Sequence, residues 1–392
     1  MKITGVICEY NPFHAGHKKQ LDMIRSLQGA DSAIVCLMSG NYVQRGAPAI
    51  IHKAERAKAA VLSGADLVLE LPTVYSLRSA EGFAAGGVSL LSGFCTHLCF
   101  GAETADQPAL LSTAEALLSP KFPEALRNHL NQGLSFPAAR QAALEDMGLS
   151  GTLLAQPNNI LAVEYCKAIL QQNSSMLPLP IFREGSYHDP LPQRENPSAT
   201  ALRAAMTAGE SWQSYVPTEA AEVFRDAALH TLDAGQLAVL SRLRSMADED
   251  FEALPFGSEG LWRKLMHSVR REATLEDILA ATKSKRYTRT RLDRMVLCAF
   301  LGITETMLNA PAPYARVLAL NEKGRSILNR AREAGHFPNA GESVEHPYQQ
   351  QEILWEDLYG LFSVTAPEAP GNHLKQRIFY YSKEDISHYE NI

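Results

Sequence analysis

Ile3-Thr4-Gly5-Val6-Ile7-Cys8-Glu9-Tyr10-Asn11-Pro12-Phe13-His14-Ala15-Gly16-His17 is the stretch on which the fold turns. Residues 3–8 form a short apolar run, the pattern of a strand buried on both faces. Polar, turn-forming residues end the run, and residues 17–27 have helical patterning. His14-Ala15-Gly16-His17 therefore falls where a helix begins, and unpaired amides and the helix dipole favour an anion there. Gly16 lets backbone approach a ligand closely. Two histidines three residues apart share one side of a first turn and can donate to the same anion.

The same alternation continues outward. Residues 32–38, 67–71 and 97–100 read as further strands, and residues 54–63 and 79–91 as helices. This spacing predicts an α/β fold with a parallel sheet covered on both faces, ligands binding on loops beyond the carboxyl ends of the strands. Those loops are Glu9 to His17, Ser39 to Gly46 and Gly101 to Thr104. Residues 110–168 read as successive helices with a loop at 155–159, and residues 178–182 as one more strand running into a polar loop. Ser198-Ala199-Thr200 is a helix start. A boundary near residue 207 separates residues 1–207, the α/β domain, from residues 208–392, a mainly α-helical domain in which 330–351 reads as loop.

The chain has 392 residues, 46% hydrophobic and 20% charged, which excludes wholesale disorder. No run reaches the roughly 18 apolar residues that a membrane-spanning helix needs. The start is too short and too acidic for a secretory signal. A net charge of −6 argues against a protein that coats nucleic acid indiscriminately and leaves room for a local basic patch. The six scattered cysteines read as reduced thiols of a cytoplasmic protein.

A second phosphate-binding start is Asn196-Pro197-Ser198-Ala199-Thr200-Ala201-Leu202-Arg203. Ser198 or Thr200, with free helix amides, suits a phosphate group, and Arg203 can neutralise it. Fixed donors aimed at a phosphoryl group stabilise developing charge without a covalent step.

The first of these segments resembles the first motif of the HIGH nucleotidyltransferase superfamily, and the second resembles its ISSTxxR-type helix start, with Ala199 in place of the second serine. EYNPFHAGH, MSGNYVQRG, LELP at 69–72, CFGAE at 99–103, PNNILAVEY at 157–165 and SYHD at 186–189 follow in order. As a set they resemble the bacterial tRNA(Met) cytidine acetate ligase family, through most of residues 1–207 and more thinly through 285–297 and 314–316. The resemblance implies a Rossmann-like sheet of the HIGH nucleotidyltransferase type. It implies activation of acetate by ATP as acetyl-adenylate and transfer of the acetyl group to N4 of the wobble cytidine of elongator tRNA(Met). It places ATP along residues 7–20, at Ile7, Cys8, Glu9, Tyr10, Asn11, Pro12, Phe13, Gly16 and Gln20, with His14 and His17 as the catalytic pair at the phosphates. Gly101, Arg183 and one of Asn158 and Asn159 complete the ATP site. Mg²⁺ accompanies ATP with no protein ligands, and no obligate protein partner is implied.

Acetate is already ionised at neutral pH and needs positioning rather than a base. Ser39, Gly40, Asn41, Gln44 and Arg45 are candidates for acetate or tRNA, the bland alternative being a polar surface turn. Lys53 reads as solvated, with phosphate as the alternative. Residues 283–294 carry six basic side chains and one acidic. Lys283, Lys285, Arg286, Arg289 and Arg291, interleaved with Tyr287, suit an RNA backbone with one stacking surface. Cys95, His97 and Cys99 alternate as metal ligands would on a strand, but core packing is the better reading. Competing functions are a small-molecule carboxylate–amine ligase of the pantothenate synthetase type, a coenzyme adenylyltransferase and a non-catalytic RNA-binding protein.

Overall fold

A computed structural model describes residues 1–183, 197–284 and 287–382. Its centre is a seven-stranded sheet in the order β7-β6-β1-β2-β5-β8-β9. The strands are β1 (Ile3–Cys8), β2 (Ala33–Ser39), β5 (Leu67–Leu71), β6 (His97–Ala102), β7 (Leu177–Phe182), β8 (Val317–Asn321) and β9 (Phe379–Tyr381). A small hairpin, β3 (Tyr42–Val43) with β4 (Ala47–Pro48), stands apart. From β7 to β5 all neighbours pair in parallel, Ile3 opposite Ala33 and Val35 opposite Leu67. The continuous apolar runs of β1, β2 and β5 follow from burial on both faces, where two hydrophobic clusters sit.

The helices flanking the first strands are α1 (Ala15–Gln28), α2 (Lys53–Leu62) and α3 (Ala80–Leu91). α3 lies unusually close to the sheet. A Cβ on Gly87 would stand 2.4 Å from Cδ1 of Ile7, so a larger residue there would force the Ile7 side chain to shift. Further along come α4 (Pro157–Gln171), α5 (Ala199–Ala208), α6 (Arg289–Leu301), α7 (Glu322–Ala334) and α8 (Pro347–Tyr359).

Residues 208–392 are mainly helical, yet they are not only a helical appendage. β8 pairs antiparallel with β5 and β9 parallel with β8, so the sheet itself runs past residue 207. Nor are residues 330–351 one loop: α7 extends to Ala334 and α8 begins at Pro347.

A buried ionic network fastens α8 to the first half of the chain. Lys53 Nζ lies 3.0 Å from Glu70 and 3.1 Å from Glu356, and Asn41 Nδ2 donates to Glu356 at 3.0 Å. His52 meets Glu356 as well. Lys53 is therefore neither solvated nor at a phosphate. Burial alone would lower the His52 pKa, but Glu356 overcomes it and lifts His52 to about 9. A group raised on folding stabilises fully below its unfolded value, near 6.5, and loses that contribution as pH climbs through its folded value. The denaturation midpoint is accordingly expected to fall as pH rises from 6.5 to about 9, and His52→Gln should flatten that fall.

Candidate active site

A cleft of about 420 Å³ opens beyond the carboxyl ends of the central strands. Ile7, Cys8, Glu9, Tyr10, Asn11, His14, Gly16, His17, Gln20, Gly101, Asn158, Arg183, Ser198 and Arg203 line it, as do Gln44 and Arg45. Residues far apart in sequence thus converge on one space.

The histidines are set by the helix start. His14 is the N-cap of α1, and its Nδ1 accepts from Gly16 N at 3.1 Å. His17 Nδ1 accepts from His14 N at 3.2 Å. Each ring thus spends Nδ1 as an acceptor, and in the neutral tautomer each Nε2–H is left to donate. The rings stack with centroids 3.7 Å apart, and Tyr10 and Phe13 wedge His17 at 4.8 and 5.6 Å. Burial, then Arg183 and Arg203, push His14 down to about 3; burial, His14 and Arg183 lower His17 well below its usual value. Two neutral donors face the cleft, and neither is poised as a proton shuttle.

Ser198 caps α5 and accepts from Ala201 N. Arg203 donates to Asn11 O at 2.7 Å and to Thr200 Oγ1 at 3.1 Å, tying the second phosphate-binding start to the first. Thr200 therefore orients Arg203 and does not line the cleft. Pro12 and the fully buried Phe13 also stand behind the cleft wall.

The two asparagines separate cleanly. They lie in the first turn of α4 rather than in a loop. Glu103 receives the backbone amides of Asn158 at 3.2 Å and Asn159 at 2.8 Å, and the Asn158 side-chain amide at 2.7 Å. Asn159 is 1% exposed and bonded in both directions to Thr104. Asn158 lines the cleft and accepts from Arg183 at 3.4 Å.

The loop after β2 divides likewise. Ser39, Gly40 and Asn41 are buried behind the cleft: Gly40 O accepts from Arg56, and Asn41 holds Glu356 and Lys53 N. They do not line the cleft. Gln44 and Arg45 do, and Gln44 N donates to Glu9 Oε1 at 2.8 Å. Sequence reasoning missed the apolar wall made by Phe83, Phe100, Leu161 and Tyr165, and also Lys19. Apolar residues inside helices and strands carry the same pattern whether they face a core or a nucleobase.

The basic segment is less open than its composition suggests. Arg289 pairs with Glu276 at 2.6 Å and Asp293 at 2.8 Å. Arg291 donates to Phe256 O at 3.0 Å and Ser258 Oγ at 2.8 Å. Tyr287 is 8% exposed under the Arg291 guanidinium, so it offers no open stacking face. Lys283 is exposed. Lys285 and Arg286 lie outside the described residues, as do the SYHD motif and Asn196. Cys95 and Cys99 are core, and burial pushes the Cys99 thiol up to about 12.

A parallel sheet whose first strand delivers HxGH to a helix start, with an S/T-x-x-R helix facing it across the cleft, defines the HIGH class of nucleotidyltransferases. A family model described as HIGH Nucleotidyl Transferase matches residues 1–366. Within that class, the chain belongs to the tRNA(Met) cytidine acetate ligase family. It is 37% identical over 360 residues to the tRNA(Met) cytidine acetate ligase of Clostridium acetobutylicum, covering 86% of this chain and 89% of that one. The Clostridium tetani protein of the same name is 37% identical over 361 residues, with the same coverages. The crystal structure of Thermotoga maritima TmcAL bound with alpha-thio ATP superposes with a TM-score of 0.86 at 28% identity, covering 98% of this chain and 100% of that one.

Proposed function

We propose that this chain is an ATP-dependent tRNA(Met) cytidine acetate ligase. In the first step a carboxylate oxygen of acetate attacks the α-phosphorus of ATP, forming acetyl-adenylate and releasing pyrophosphate. In the second, N4 of a cytidine attacks the acetyl carbonyl, AMP departs and the amine loses a proton. The observation that carries the reading is the convergence of two neutral imidazole donors and Arg203 on one end of the cleft. Such a set stabilises a phosphoryl group and supplies no nucleophile. The family membership and the nucleotide-bound relative support the same substrate.

The cleft has a polarity. Glu103 already occupies the first amides of α4, so an anionic triphosphate is disfavoured there. The starts of α1 and α5 bring His14, Gly16, His17, Ser198 and Arg203 to the cleft with no carboxylate bonded to their amides among the described residues. The triphosphate therefore lies by His14, His17, Ser198 and Arg203, and the nucleoside lies by Asn158 and the Phe83–Phe100–Tyr165 wall. Donors at the phosphate end are N–H groups, so Mg²⁺ enters on ATP's own oxygens. Asn158→Ala is expected to raise the KM for ATP about tenfold with the fold intact, the cost of one lost hydrogen bond of about 1.4 kcal/mol. Asn159→Ala should lower thermal stability instead. Steady-state kinetics beside melting curves separate the two.

For tRNA, Lys283 is the basic side chain of the described segment best placed to meet phosphate. Lys283→Ala should reduce the slope of log affinity against log salt by about 1, whereas Arg289→Ala, which breaks internal pairs, should not. Pyrophosphate–ATP exchange that requires acetate tests the first step. Exchange that requires a phosphorylated coenzyme precursor in place of acetate would favour an adenylyltransferase, and no exchange with either would reject adenylate chemistry.

A further inference from the structure

Arg56 is 0% exposed and lies in α2, outside the cleft lining. Its guanidinium donates from Nε to Ile51 O at 2.8 Å, and from Nη1 to Glu9 O at 2.6 Å and Ser39 O at 3.1 Å. Nη2 donates to Gly40 O. Among the described residues no carboxylate stands within ion-pair distance of it. A buried cation of this kind is costly and persists where the surrounding carbonyls need it.

Two of those carbonyls have consequences for the cleft. Glu9 O belongs to the peptide that leads into Tyr10, whose φ of 46° places a bulky residue in the left-handed region. That conformation is unfavourable unless neighbours hold it. Tyr10 in turn wedges His17, and the Glu9 carboxylate receives the amide of Gln44. Ser39 O and Gly40 O end β2, and carbonyls at a strand's carboxyl end present negative dipoles towards whatever binds beyond. Arg56 consumes both and sets one fixed positive charge behind the wall formed by Glu9 and Gln44, where it also offsets the Glu9 and Glu70 carboxylates that act on it.

We propose that Arg56 is a positioning residue for the carboxylate substrate: it fixes the Glu9–Tyr10 turn and offsets the strand-end carbonyls, so that acetate's negative charge is tolerated beside the α-phosphate. This rests on the acyl-adenylate reading above and adds the residue that prepares the carboxylate's side of the cleft. Arg56 touches no substrate; because the charge it offsets lies on the carboxylate's side, its loss is expected to raise the KM for acetate more than it weakens ATP binding or lowers kcat, whereas a shift of His17 through Tyr10 alone would lower kcat.

The test uses the full chain and acetate-dependent pyrophosphate–ATP exchange, with ATP affinity from calorimetry and folding from melting curves. Exchange by the unaltered protein comes first; its absence rejects the acyl-adenylate reading whatever Arg56 does. Arg56→Lys keeps the charge but not the planar fork, and Arg56→Gln loses the charge. Each is expected to lower kcat/KM for acetate about tenfold or more, Gln beyond Lys, with affinity for ATP within about threefold of the parent. Equal losses for acetate and ATP, collapse of the fold in both variants, or no loss for acetate would each overturn the proposal.

Discussion

His17→Ala is expected to slow acetyl-adenylate formation by about 10²–10³-fold, the cost of deleting one preorganised donor to a developing oxyanion. The affinity for ATP should change much less, because the Nε2–H bond strengthens as charge builds in the transition state. The position of the ring makes the effect specific. His17 Nδ1 is tied to the His14 amide, and Tyr10 and Phe13 hold the ring from behind. Alanine removes the donor and also leaves a gap between two aromatic rings. The pH profile distinguishes a donor from a proton shuttle. Burial and the neighbouring cations hold both histidines below their usual range, His14 at about 3. The kcat/KM profile for ATP, which reports the free enzyme, should therefore show no break from this pair near pH 6.5. A break there that vanished in His14→Ala or His17→Ala would assign the pair to general acid–base work instead.

Lys53→Met should destabilise the fold strongly, by about 3–5 kcal/mol, because it leaves the buried Glu70 without its cation and Glu356 with His52 alone. Glu70 and Glu356 approach Lys53 from β5 and α8, elements nearly three hundred residues apart along the chain. The loss is read from denaturant unfolding at neutral pH. Adding Glu70→Gln to Lys53→Met should recover part of it, since one uncompensated charge is then removed. A variant of unchanged stability would mean that the network is solvated and α8 is held by apolar packing alone. The consequence reaches the cleft through Asn41, which receives the Lys53 amide and holds Glu356, and which begins the turn leading to Gln44 and Arg45.

The first half of the sheet was legible because its signals are local. The apolar runs at Ile3–Cys8 and Leu67–Leu71 are bounded by turn residues, and the observed strands coincide with them. The helix starts at His14 and Ser198 were equally plain, since caps announce themselves within a few residues. β8 and β9 were not, because β8 pairs with β5 across about 250 residues and β9, three residues long, pairs only with β8, which leaves no local periodic mark. In the cleft, sequence named many of the polar residues that line it but not the aromatic wall. It also could not separate a buried polar residue from an exposed one. Asn41 and Gln44 stand in the same loop, yet one serves the core and the other the cleft. Arg289 shows the same limit: Asp293 was in view at four residues' distance, whereas Glu276 meets it from a different helix.

The most direct measurement of the central claim is acetyl transfer to RNA. The purified chain, ATP, Mg²⁺ and isotopically labelled acetate are incubated with unmodified elongator tRNA(Met), and the nucleosides are then resolved by mass spectrometry. The account predicts labelled N4-acetylcytidine at the wobble position, one AMP and one pyrophosphate formed per acetyl group, and loss of all three with His17→Ala. Pyrophosphate release dependent on acetate with no label in RNA would contradict the assignment of tRNA as acceptor, and AMP retained in the product would contradict acyl transfer itself.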